Sequence, residues 1–271
     1  MPEGPEVETV RRTLKHFVLH RTITKVTVRY PKIIDGDAEA FVQAVTNQTI
    51  EDIKRKGKYL IFILDDVAFI SHLRMEGKYN IKPADTLYQK HDHIIFHLDD
   101  GTTLRYNDTR KFGRMKLVDK DHYLEVLPLS KLGPDPFSAT FEEVYPKIHR
   151  SHLPIKTLLL DQSIMCGIGN IYANEICFAM KMDPRTRASR LSKNRVKELI
   201  VVTRQILEEA IKQGGTTIHS FDANGITGLF QVKLKVHAQT TCQECGSPIK
   251  KKQLNGRGTY FCPVCQKRRT C

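Results

Sequence analysis

The sequence predicts an α+β protein, with an N-terminal β-sandwich that follows one helix and a C-terminal helical region that ends in a small cysteine-rich β-hairpin. Three observations lead to this fold. Short β-branched and aromatic runs fill residues 22–118, and apolar patterns with helical spacing follow residue 151. Two Cys-x-x-Cys pairs lie near the C-terminus. The length, 271 residues, allows two modest domains that each bury a core.

The first element is a helix predicted from Pro5 to His16. Its apolar residues recur every three or four positions, and its acidic and basic residues lie at the ends that the helix dipole favours. Six strands are predicted next, from the runs TITKVTVRY, KYLIFILDD, VAFISHL, HIIFHLDDG, TTLRYND and GRMKLVD. Asp100-Gly101 is typical of a hairpin turn. This half is therefore expected to form a β-sandwich with one N-terminal helix.

Turn-forming residues in KLGPDPFSAT indicate a linker, and helices are predicted after it. The runs IKTLLLDQSIM and NIYANEICFAM predict two short helices, and a longer helix is expected to begin at Ser192 and end at Gly214. A Gly-rich loop occupies residues 214–230. The predicted domains are the sandwich (1–130), a linker region (131–150), a helical domain (151–235) and a cysteine module (236–271).

The charge is unevenly distributed along the chain. The net charge is +13, and residues 151–271 contribute 19 basic and 8 acidic groups to it. A strongly basic half favours binding to a polyanion such as nucleic acid, although a merely soluble basic surface is the alternative. The ordinary composition excludes a disordered or fibrous chain. No apolar run is long enough for a membrane span and no secretory signal is present, so we expect a cytoplasmic protein without membrane contact.

The cysteine pattern predicts a metal site. Cys242, Cys245, Cys262 and Cys265 form two Cys-x-x-Cys pairs whose spacing is typical of a structural zinc ion held by four thiolates. The insert IKKKQLNGRGTYF has strand-like flanks around an Asn255-Gly256 turn, so a zinc-bound β-hairpin with Arg257 at its tip is expected. Redox-active or coincidental cysteine pairs are the alternative.

The N-terminus carries a second chemical signal. Removal of Met1 would expose the secondary amine of Pro2, which can add to an aldehyde-like carbon and form a cationic iminium that promotes elimination. Glu3 is adjacent and could move protons. Because many proteins begin with Met-Pro, this observation alone is weak.

Seven segments give the chain a resemblance to the bacterial formamidopyrimidine-DNA glycosylase family of base-excision repair. They are PEGPEVETVRR (2–12), KRKGKYL (54–60), SHLRMEGKY (71–79), DTRKFGRM (108–115), LGPDP (132–136), LLDQ…GIGNIYANE (159–175) and GRGTYFCPVCQ (256–266). The resemblance implies a glycosylase and lyase that acts on oxidised purines in damaged double-stranded DNA. It also implies a helix–two-turns–helix domain, one structural zinc and a monomer, with DNA binding at the nucleoid.

The resemblance assigns roles to matching residues. It implies that Pro2 attacks C1′ of a flipped nucleotide and forms a Schiff base, with Glu3 as the acid/base. Met75, Arg110 and Phe112 would fill the gap in the base stack, and residues 214–230 would form a lesion-capping loop. Phosphate contacts are expected from His72, Asn170, Lys58 and Arg257, of which the last two complete the catalytic set. His91, Lys156 and Tyr172 complete the predicted DNA-binding set.

Each assignment has a structural alternative. Met75 and Phe112 could be core residues, Lys58 a solvated strand residue and Asn170 only a helix cap. His91 and His93 are expected to be surface residues and not a second metal site.

Two departures from the family pattern and two alternative functions remain. Gly4 stands where leucine is usual, and PEGPE also begins the sister enzyme endonuclease VIII, which acts on oxidised pyrimidines. Met165-Cys166 replaces small or branched residues. The alternatives are the pyrimidine activity and a non-catalytic zinc-ribbon DNA-binding protein.

Overall fold

A computed structural model of the chain describes residues 1–215 and 234–267. The described chain forms two compact units, Met1–Ser130 and the described residues from Lys131 onward. The helices are α1 (Gly4–Val18), α2 (Ala38–Val45), α3 (Phe141–His149), α4 (Ile155–Leu160), α5 (Asn170–Ala179) and α6 (Lys193–Lys212). The strands are β1 (Ile23–Val28), β2 (Ile50–Lys56), β3 (Tyr59–Leu64), β4 (Val67–His72), β5 (Lys78–Pro83), β6 (Asp92–Leu98), β7 (Thr102–Asn107), β8 (Arg114–Asp119), β9 (Lys250–Leu254) and β10 (Arg257–Phe261).

The N-terminal unit is the predicted β-sandwich. One antiparallel sheet has the order β1-β6-β7-β5 and the other β2-β3-β4-β8. The inward faces share one aromatic core, in which Phe69 of the second sheet stacks on Phe96 of the first at 5.4 Å between ring centroids. Helix α1 contributes its apolar side to the same core. Burial of these faces is the main favourable term for this unit.

Three elements of the sandwich were not expected from the sequence. Helix α2 begins at Asp37, whose carboxylate accepts the N–H groups of Glu39 and Ala40. Strand β2 has a bulge between Ile50 and Asp52, so Ile50 and Ile53 both reach the core although they are three positions apart. This bulge removes the period of two by which a strand is recognised. Strand β5 is short and mostly polar.

Two neighbouring loops connect the sheets, and we name them after their exposed apolar residues. The Met75 loop (residues 73–77) joins β4 to β5, and the Phe112 loop (residues 108–113) joins β7 to β8. Strand β4 pairs with β8 and β5 pairs with β7, with His72 opposite Arg114 and Lys78 opposite Asn107. The antiparallel register therefore places both loops at the same edge of the sandwich.

The C-terminal unit has a helical core with the predicted α5 and α6. Ser192 caps α6 and Gly214, with φ of +76°, follows its end, as expected. The predicted linker region 131–150 requires a correction, because α3 lies within it. Thr140 and Glu143 form a capping box at the start of α3, and the helix buries Val144 and Ile148 in the core.

The run IKTLLLDQSIM is also shorter as a helix than expected. Helix α4 ends at Leu160, and the side chain of Gln162 then accepts the N–H of Gly167 at 2.9 Å and donates to the carbonyl of Ile168 at 2.8 Å. These bonds replace helical ones and shape the turns that lead to α5. The arrangement is a helix–two-turns–helix.

One predicted element cannot be placed. From residue 216 onward, the loop expected to cap the lesion (214–230) lies outside the described residues. In the part of the chain that is described, no helix combines the length and apolar character that a membrane crossing needs.

Candidate active site and nucleic-acid interface

The N-terminus is held in place by the first turn of α1. Glu3 occupies the position before the helix, and its backbone N–H donates to a carboxylate oxygen of Glu6 at 2.8 Å. The Glu3 residue is only 4% exposed, whereas Pro2 is half-buried. A partly accessible proline therefore stands beside a buried carboxyl group, as an N-terminal nucleophile with an adjacent acid/base requires.

Lys58 is tied to α1 through a chain of polar contacts. It lies in the two-residue turn Gly57-Lys58 between β2 and β3, and Arg55 donates to the carbonyl of Gly57 at 2.9 Å. Arg55 also pairs with Glu8 of α1 at 3.1 Å. Burial raises the pKa of Glu8, but its bonds to Arg11 and Arg12 and the charges of Arg11 and Arg55 lower that pKa to about 2. The ionised carboxylate thus fixes the turn that carries Lys58.

Lys58 is a buried residue and not the solvated strand residue of the alternative interpretation. Burial, followed by the positive charges of Arg74 and Lys58, lowers the pKa of His72 to about 3. Lys58 and His72 therefore belong to one positively charged region of the sandwich, where a phosphate would be attracted.

His72 is neutral and its proton can be placed. The backbone N–H of Arg74 donates to His72 Nδ1 at 2.9 Å, so the neutral ring carries its hydrogen on Nε2. Tyr59 packs edge-on against the ring at 4.5 Å between centroids. His72 can therefore donate one hydrogen bond to a phosphate oxygen through Nε2, as its predicted role needs.

The residues predicted to fill a stacking gap are exposed. Met75 is 43% exposed and Phe112 is 49% exposed, and both lie on the adjacent loops at one edge of the sandwich. The guanidinium of Arg110 lies 4.8 Å from the centre of the Phe112 ring. Neither apolar side chain belongs to the core, so the structural alternative is wrong. Exposed apolar side chains on neighbouring loops suit insertion between bases.

The two histidines at the start of β6 differ from each other. His93 was expected at the surface, but it is buried, and its Nε2 lies 2.7 Å from the carbonyl oxygen of Asp108. Burial lowers its pKa, so the neutral ring donates this bond. His91 is half-buried, and its ring lies 6.2 Å from that of His93. Among the described residues neither belongs to a group that could hold a metal.

In the C-terminal unit, Lys156 has a different position from the predicted one. Its side chain is 0% exposed, and Nζ donates to Asn170 Oδ1 at 2.7 Å, Thr259 Oγ1 at 2.8 Å and Gly258 O at 3.1 Å. Tyr172 is likewise fully buried in the helical core. Their burial contradicts a direct contact of these two side chains with DNA. Lys156 instead joins the start of α5 to the β-hairpin.

Asn170 has more than the capping role of the structural alternative. Gly169 occupies the cap position of α5, and Asn170 Nδ2 donates to the carbonyl of Gly258 at 3.1 Å. Asn170 remains partly exposed. The structure therefore brings Asn170 next to Arg257, the residue that precedes Gly258 and is itself exposed.

The hairpin that carries Arg257 has the predicted form. Strands β9 and β10 pair from Arg257 opposite Leu254, around an Asn255-Gly256 turn in which both residues have positive φ. Asn255 Nδ2 donates to Thr157 Oγ1 of α4 at 3.1 Å. This contact ties the tip of the hairpin to the helical part of the unit.

The four predicted cysteine ligands meet at one point. Their sulfur atoms lie within 4.8 Å of one another, with 3.8 Å between Cys242 and Cys265 and 3.5 Å between Cys245 and Cys262. A tetrahedral zinc with bonds of about 2.3 Å places sulfurs about 3.8 Å apart, so the cluster fits the ion. Four protein ligands complete the coordination, and the zinc is therefore structural.

Two buried carboxylates matter for these regions and were not predicted. Asp108 accepts the backbone N–H groups of Arg110, Phe112 and Gly113 at 2.8–3.0 Å. Glu175 of α5 accepts three backbone N–H groups at 2.8–3.1 Å from the chain that enters the zinc module, those of Lys235, Val236 and His237. Both carboxylates stand in segments that carry the family resemblance, Asp108 in DTRKFGRM and Glu175 in GIGNIYANE, but neither was assigned a role from the sequence.

Comparison with known proteins extends over nearly the whole chain. Residues 1–115 match the formamidopyrimidine-DNA glycosylase N-terminal domain, residues 132–222 the H2TH domain of the same enzyme, and residues 241–268 a zinc finger found in FPG and IleRS. The chain is 46% identical to a formamidopyrimidine-DNA glycosylase of Oceanobacillus iheyensis over 273 residues, which covers 98% of both chains. The chain belongs to the formamidopyrimidine-DNA glycosylase family.

Solved structures of this family agree with the fold. A Lactococcus lactis member in complex with N7-benzyl-Fapy-dG DNA has a TM-score of 0.92 and 39% identity, and the match covers 98% of this chain and 100% of that chain. The complex of the Lactococcus lactis protein with abasic-site DNA has a TM-score of 0.92 and 38% identity, with 98% and 99% coverage. These relatives of the glycosylase family do not favour the alternatives of a pyrimidine-specific enzyme or a non-catalytic zinc-ribbon protein.

Proposed function

We propose that this protein is a bifunctional DNA glycosylase and AP lyase of base-excision repair that removes oxidised purines from duplex DNA, with the N-terminal amine of Pro2 as its nucleophile. Membership of the formamidopyrimidine-DNA glycosylase family supports the reaction class. The observation that carries the mechanism is the half-buried Pro2 beside the buried Glu3 at the start of α1.

The first step exchanges one bond at the sugar for another. Once Met1 has been removed, the nitrogen of Pro2 attacks C1′, and the bond from C1′ to the oxidised base breaks. The base takes the electron pair of that bond and a proton, which Glu3 is placed to deliver or relay. The bond from C1′ to O4′ then breaks, O4′ takes its electron pair and the proton that the nitrogen of Pro2 gives up, and an iminium remains between Pro2 and C1′.

The iminium makes strand cleavage possible. It withdraws electrons from C2′, so loss of the C2′ proton expels the phosphate at C3′, and loss of a C4′ proton then expels the phosphate at C5′. Each elimination breaks one carbon–oxygen bond, and water finally releases the sugar fragment from Pro2. Glu3 lies beside Pro2 and can accept a proton that the sugar loses.

The remaining residues hold DNA in a distorted form. Lys58 and His72 in the sandwich, and Asn170 and Arg257 in the C-terminal unit, would bind backbone phosphates. Met75, Arg110 and Phe112 would fill the gap left by the extruded nucleotide. Zinc, when bound, holds the hairpin of Arg257 and takes no part in the reaction. We further propose that the protein acts as a monomer on chromosomal DNA in the cytoplasm. Sedimentation with and without duplex DNA would test the monomeric state.

Covalent trapping tests the nucleophile. Borohydride added during turnover of a duplex with 8-oxoguanine opposite cytosine should reduce the iminium to a stable amine and leave a protein–DNA product. Protein that retains Met1 should give no product, because the proline nitrogen is then an amide. Peptide mapping should place the link at Pro2. A link to Lys58 or another lysine would contradict the mechanism.

Glu3→Gln separates the two halves of the reaction. The variant keeps the amine but loses the acid, so it should excise the intact lesion poorly while still being trapped on a preformed abasic site. Nicking of duplexes with single defined lesions tests the substrate. Faster cleavage at an oxidised pyrimidine than at 8-oxoguanine would assign the protein to the sister activity.

A further inference from the structure

Tyr106 lies between the Met75 loop and the Phe112 loop. It is the penultimate residue of β7, fully buried, and its strand partner across the sheet is Tyr79 of β5. The Met75 loop leads into β5, and the Phe112 loop follows β7. The hydroxyl end of Tyr106 therefore points to the place where both loops leave the sandwich.

Two glycines allow the close approach of both loops to this hydroxyl. A Cβ atom added to Gly113 would lie 1.6 Å from Tyr106 Oη, and one added to Gly77 would lie 2.2 Å from the same oxygen. Gly77 would also approach the carbonyl of Leu73 at 2.5 Å. Any larger residue would push the loops away from a ring that has no free space to move. The spacing of the two loops is thus set by one oxygen atom.

Asp108 connects this hydroxyl to the backbone of the Phe112 loop. Tyr106 Oη donates to Asp108 Oδ2 at 3.4 Å, and the same oxygen accepts the N–H groups of Phe112 at 2.9 Å and Gly113 at 2.8 Å. Asp108 Oδ1 accepts the N–H of Arg110 at 3.0 Å. The carboxylate is fully buried. Bonds from N–H groups to a buried carboxylate are strong, and they fix the loop that presents Arg110 and Phe112.

The main chain of Asp108 is also held from the other side. Its N–H donates to the carbonyl of His91 at 3.1 Å, and its carbonyl accepts from His93 Nε2 at 2.7 Å. The residue is thus fixed through both its backbone and its side chain. A movement of Asp108 would have to break contacts in the sheet as well as in the loop.

We propose that Tyr106 and Asp108 are positioning residues that hold the Met75 loop and the Phe112 loop together as one preformed wedge. This inference rests on the gap-filling role proposed for Met75, Arg110 and Phe112. Neither Tyr106 nor Asp108 touches DNA, because both are buried. Their effect is to place two exposed apolar side chains and one arginine at a fixed separation before DNA binds, so that little ordering is needed on binding.

The test compares two buried tyrosine hydroxyls in the full-length zinc protein. Tyr106→Phe removes the oxygen between the loops, and the matched control Tyr79→Phe removes a hydroxyl of the neighbouring ring that donates to Ser71 at 2.7 Å. Insertion of the wedge is measured by the fluorescence of 2-aminopurine placed opposite a tetrahydrofuran abasic analogue. The chain has no tryptophan, so the probe signal is not overlapped by tryptophan emission.

We expect Tyr106→Phe to reduce the fluorescence change on binding and to slow excision of 8-oxoguanine about tenfold, because a displaced wedge fills the gap poorly. Cleavage at a preformed abasic site should stay within about twofold, since no base has to be extruded there. Tyr79→Phe should leave the fluorescence change, the rate of excision and the rate of abasic-site cleavage unchanged, even if it lowers the melting temperature as much as Tyr106→Phe does. The proposal would be overturned if both variants reduced the fluorescence change equally, or if Tyr106→Phe kept the fluorescence change of the wild-type protein.

Two further variants keep the outcome interpretable. Asp108→Asn retains the size of the side chain but turns one acceptor into an NH2 donor that, in either orientation of the amide, faces at least one backbone N–H group. It should impair the fluorescence response more than Tyr106→Phe. Phe112→Ala tests the role on which the inference rests. If Phe112→Ala leaves fluorescence and excision unchanged, the gap-filling role is wrong. If it impairs both while Tyr106→Phe and Asp108→Asn do not, only the positioning role is wrong.

Discussion

The Phe112 loop and the zinc hairpin both present an exposed arginine, and a single buried charge organises each of them. In the Phe112 loop the charge is the carboxylate of Asp108, which accepts N–H groups from residues two to five positions later. Near the hairpin it is the ammonium of Lys156, which bonds to Asn170 and to residues about 100 positions away. The first interaction is local and the second joins distant segments.

This difference predicts different sources of stability. The Phe112 loop is held by hydrogen bonds among its own residues and adjoins the large aromatic core of the sandwich. Next to the hairpin, the described residues form a small apolar cluster with four buried members, Phe178, Val236, Cys242 and Cys262, of which the two cysteines belong to the metal site. Small modules of this kind fold because they bind metal. Damage to the metal site or to Lys156 should therefore affect the hairpin and spare the Phe112 loop.

Loss of zinc should produce the largest separation of the two regions. Chelation, or Cys245→Ser, should weaken binding to abasic duplex by at least about 100-fold, because Arg257 loses its fixed place. The sandwich should keep its cooperative unfolding transition in circular dichroism. Re-addition of zinc to the chelated wild-type protein should restore binding. Nicking of damaged DNA at the normal rate by metal-free protein would contradict the structural role of the ion.

Lys156→Met should have the next largest effect. The change leaves Asn170 Oδ1, Gly258 O and Thr259 Oγ1 without their shared donor, and a hydrogen bond to a charged group typically contributes about 1.5–3 kcal/mol to stability. We expect binding to abasic duplex to weaken about 10- to 100-fold in a fluorescence-anisotropy titration. Lys147→Met is the control, because Lys147 is exposed and donates to Ser163 O at 2.6 Å. Equal losses for both variants would show that overall charge, and not the buried contacts, is responsible.

A lower pH should reduce the stability of the folded protein through the buried His72 of the sandwich. Its pKa is about 3 in the folded protein against an ordinary value of 6.5, so between these pH values the unfolded chain binds more protons. Stability is therefore unaffected by this group above pH about 6.5 and falls by about 1.4 kcal/mol per pH unit below it. Urea unfolding at pH 7 and pH 5 should show a loss between about 1 and 2 kcal/mol that His72→Gln removes.

A surface histidine provides the control for this prediction. The pKa of His122 is raised by its hydrogen bond to Glu125 and by that residue's charge. Protonation of His122 therefore favours the folded protein, whereas protonation of His72 disfavours it. His122→Gln should not remove the acid loss. If it does so as well as His72→Gln, or if neither variant does, burial of His72 is not the cause.

The sequence predicted the structure best where the type and spacing of residues are compatible with only one local geometry. The spacing of the four cysteines predicts the metal site, and the Asn255-Gly256 pair predicts the hairpin turn, since each depends on local geometry. The sandwich class followed from short β-branched and aromatic runs separated by turn residues. Strand β2 and helix α2 were missed because a bulge and a short element conceal their periods.

The errors in the candidate site have a common cause. Lys156 and Tyr172 were predicted to bind DNA and His93 to lie at the surface, and the structure buries all three. Burial of such groups requires partners that come from distant segments, such as Gly258 for Lys156. These partners cannot be inferred from the sequence near the residue. Asp108 was part of the quoted motif DTRKFGRM, but no role of its own was predicted for it from the sequence.

The pairing of β4 with β8 affects the order in which the strands of the sandwich are expected to pair during folding. Ser71 pairs with Met115, so the contact closes about 40 residues that include β5, β6 and β7. Local hairpins such as β3–β4 and β6–β7 close shorter loops at lower entropic cost, and we expect them to form first. The Phe112 loop, which joins β7 to β8, is completed only when β8 pairs with β4. A chain in which β8 has not yet paired with β4 therefore lacks a complete wedge.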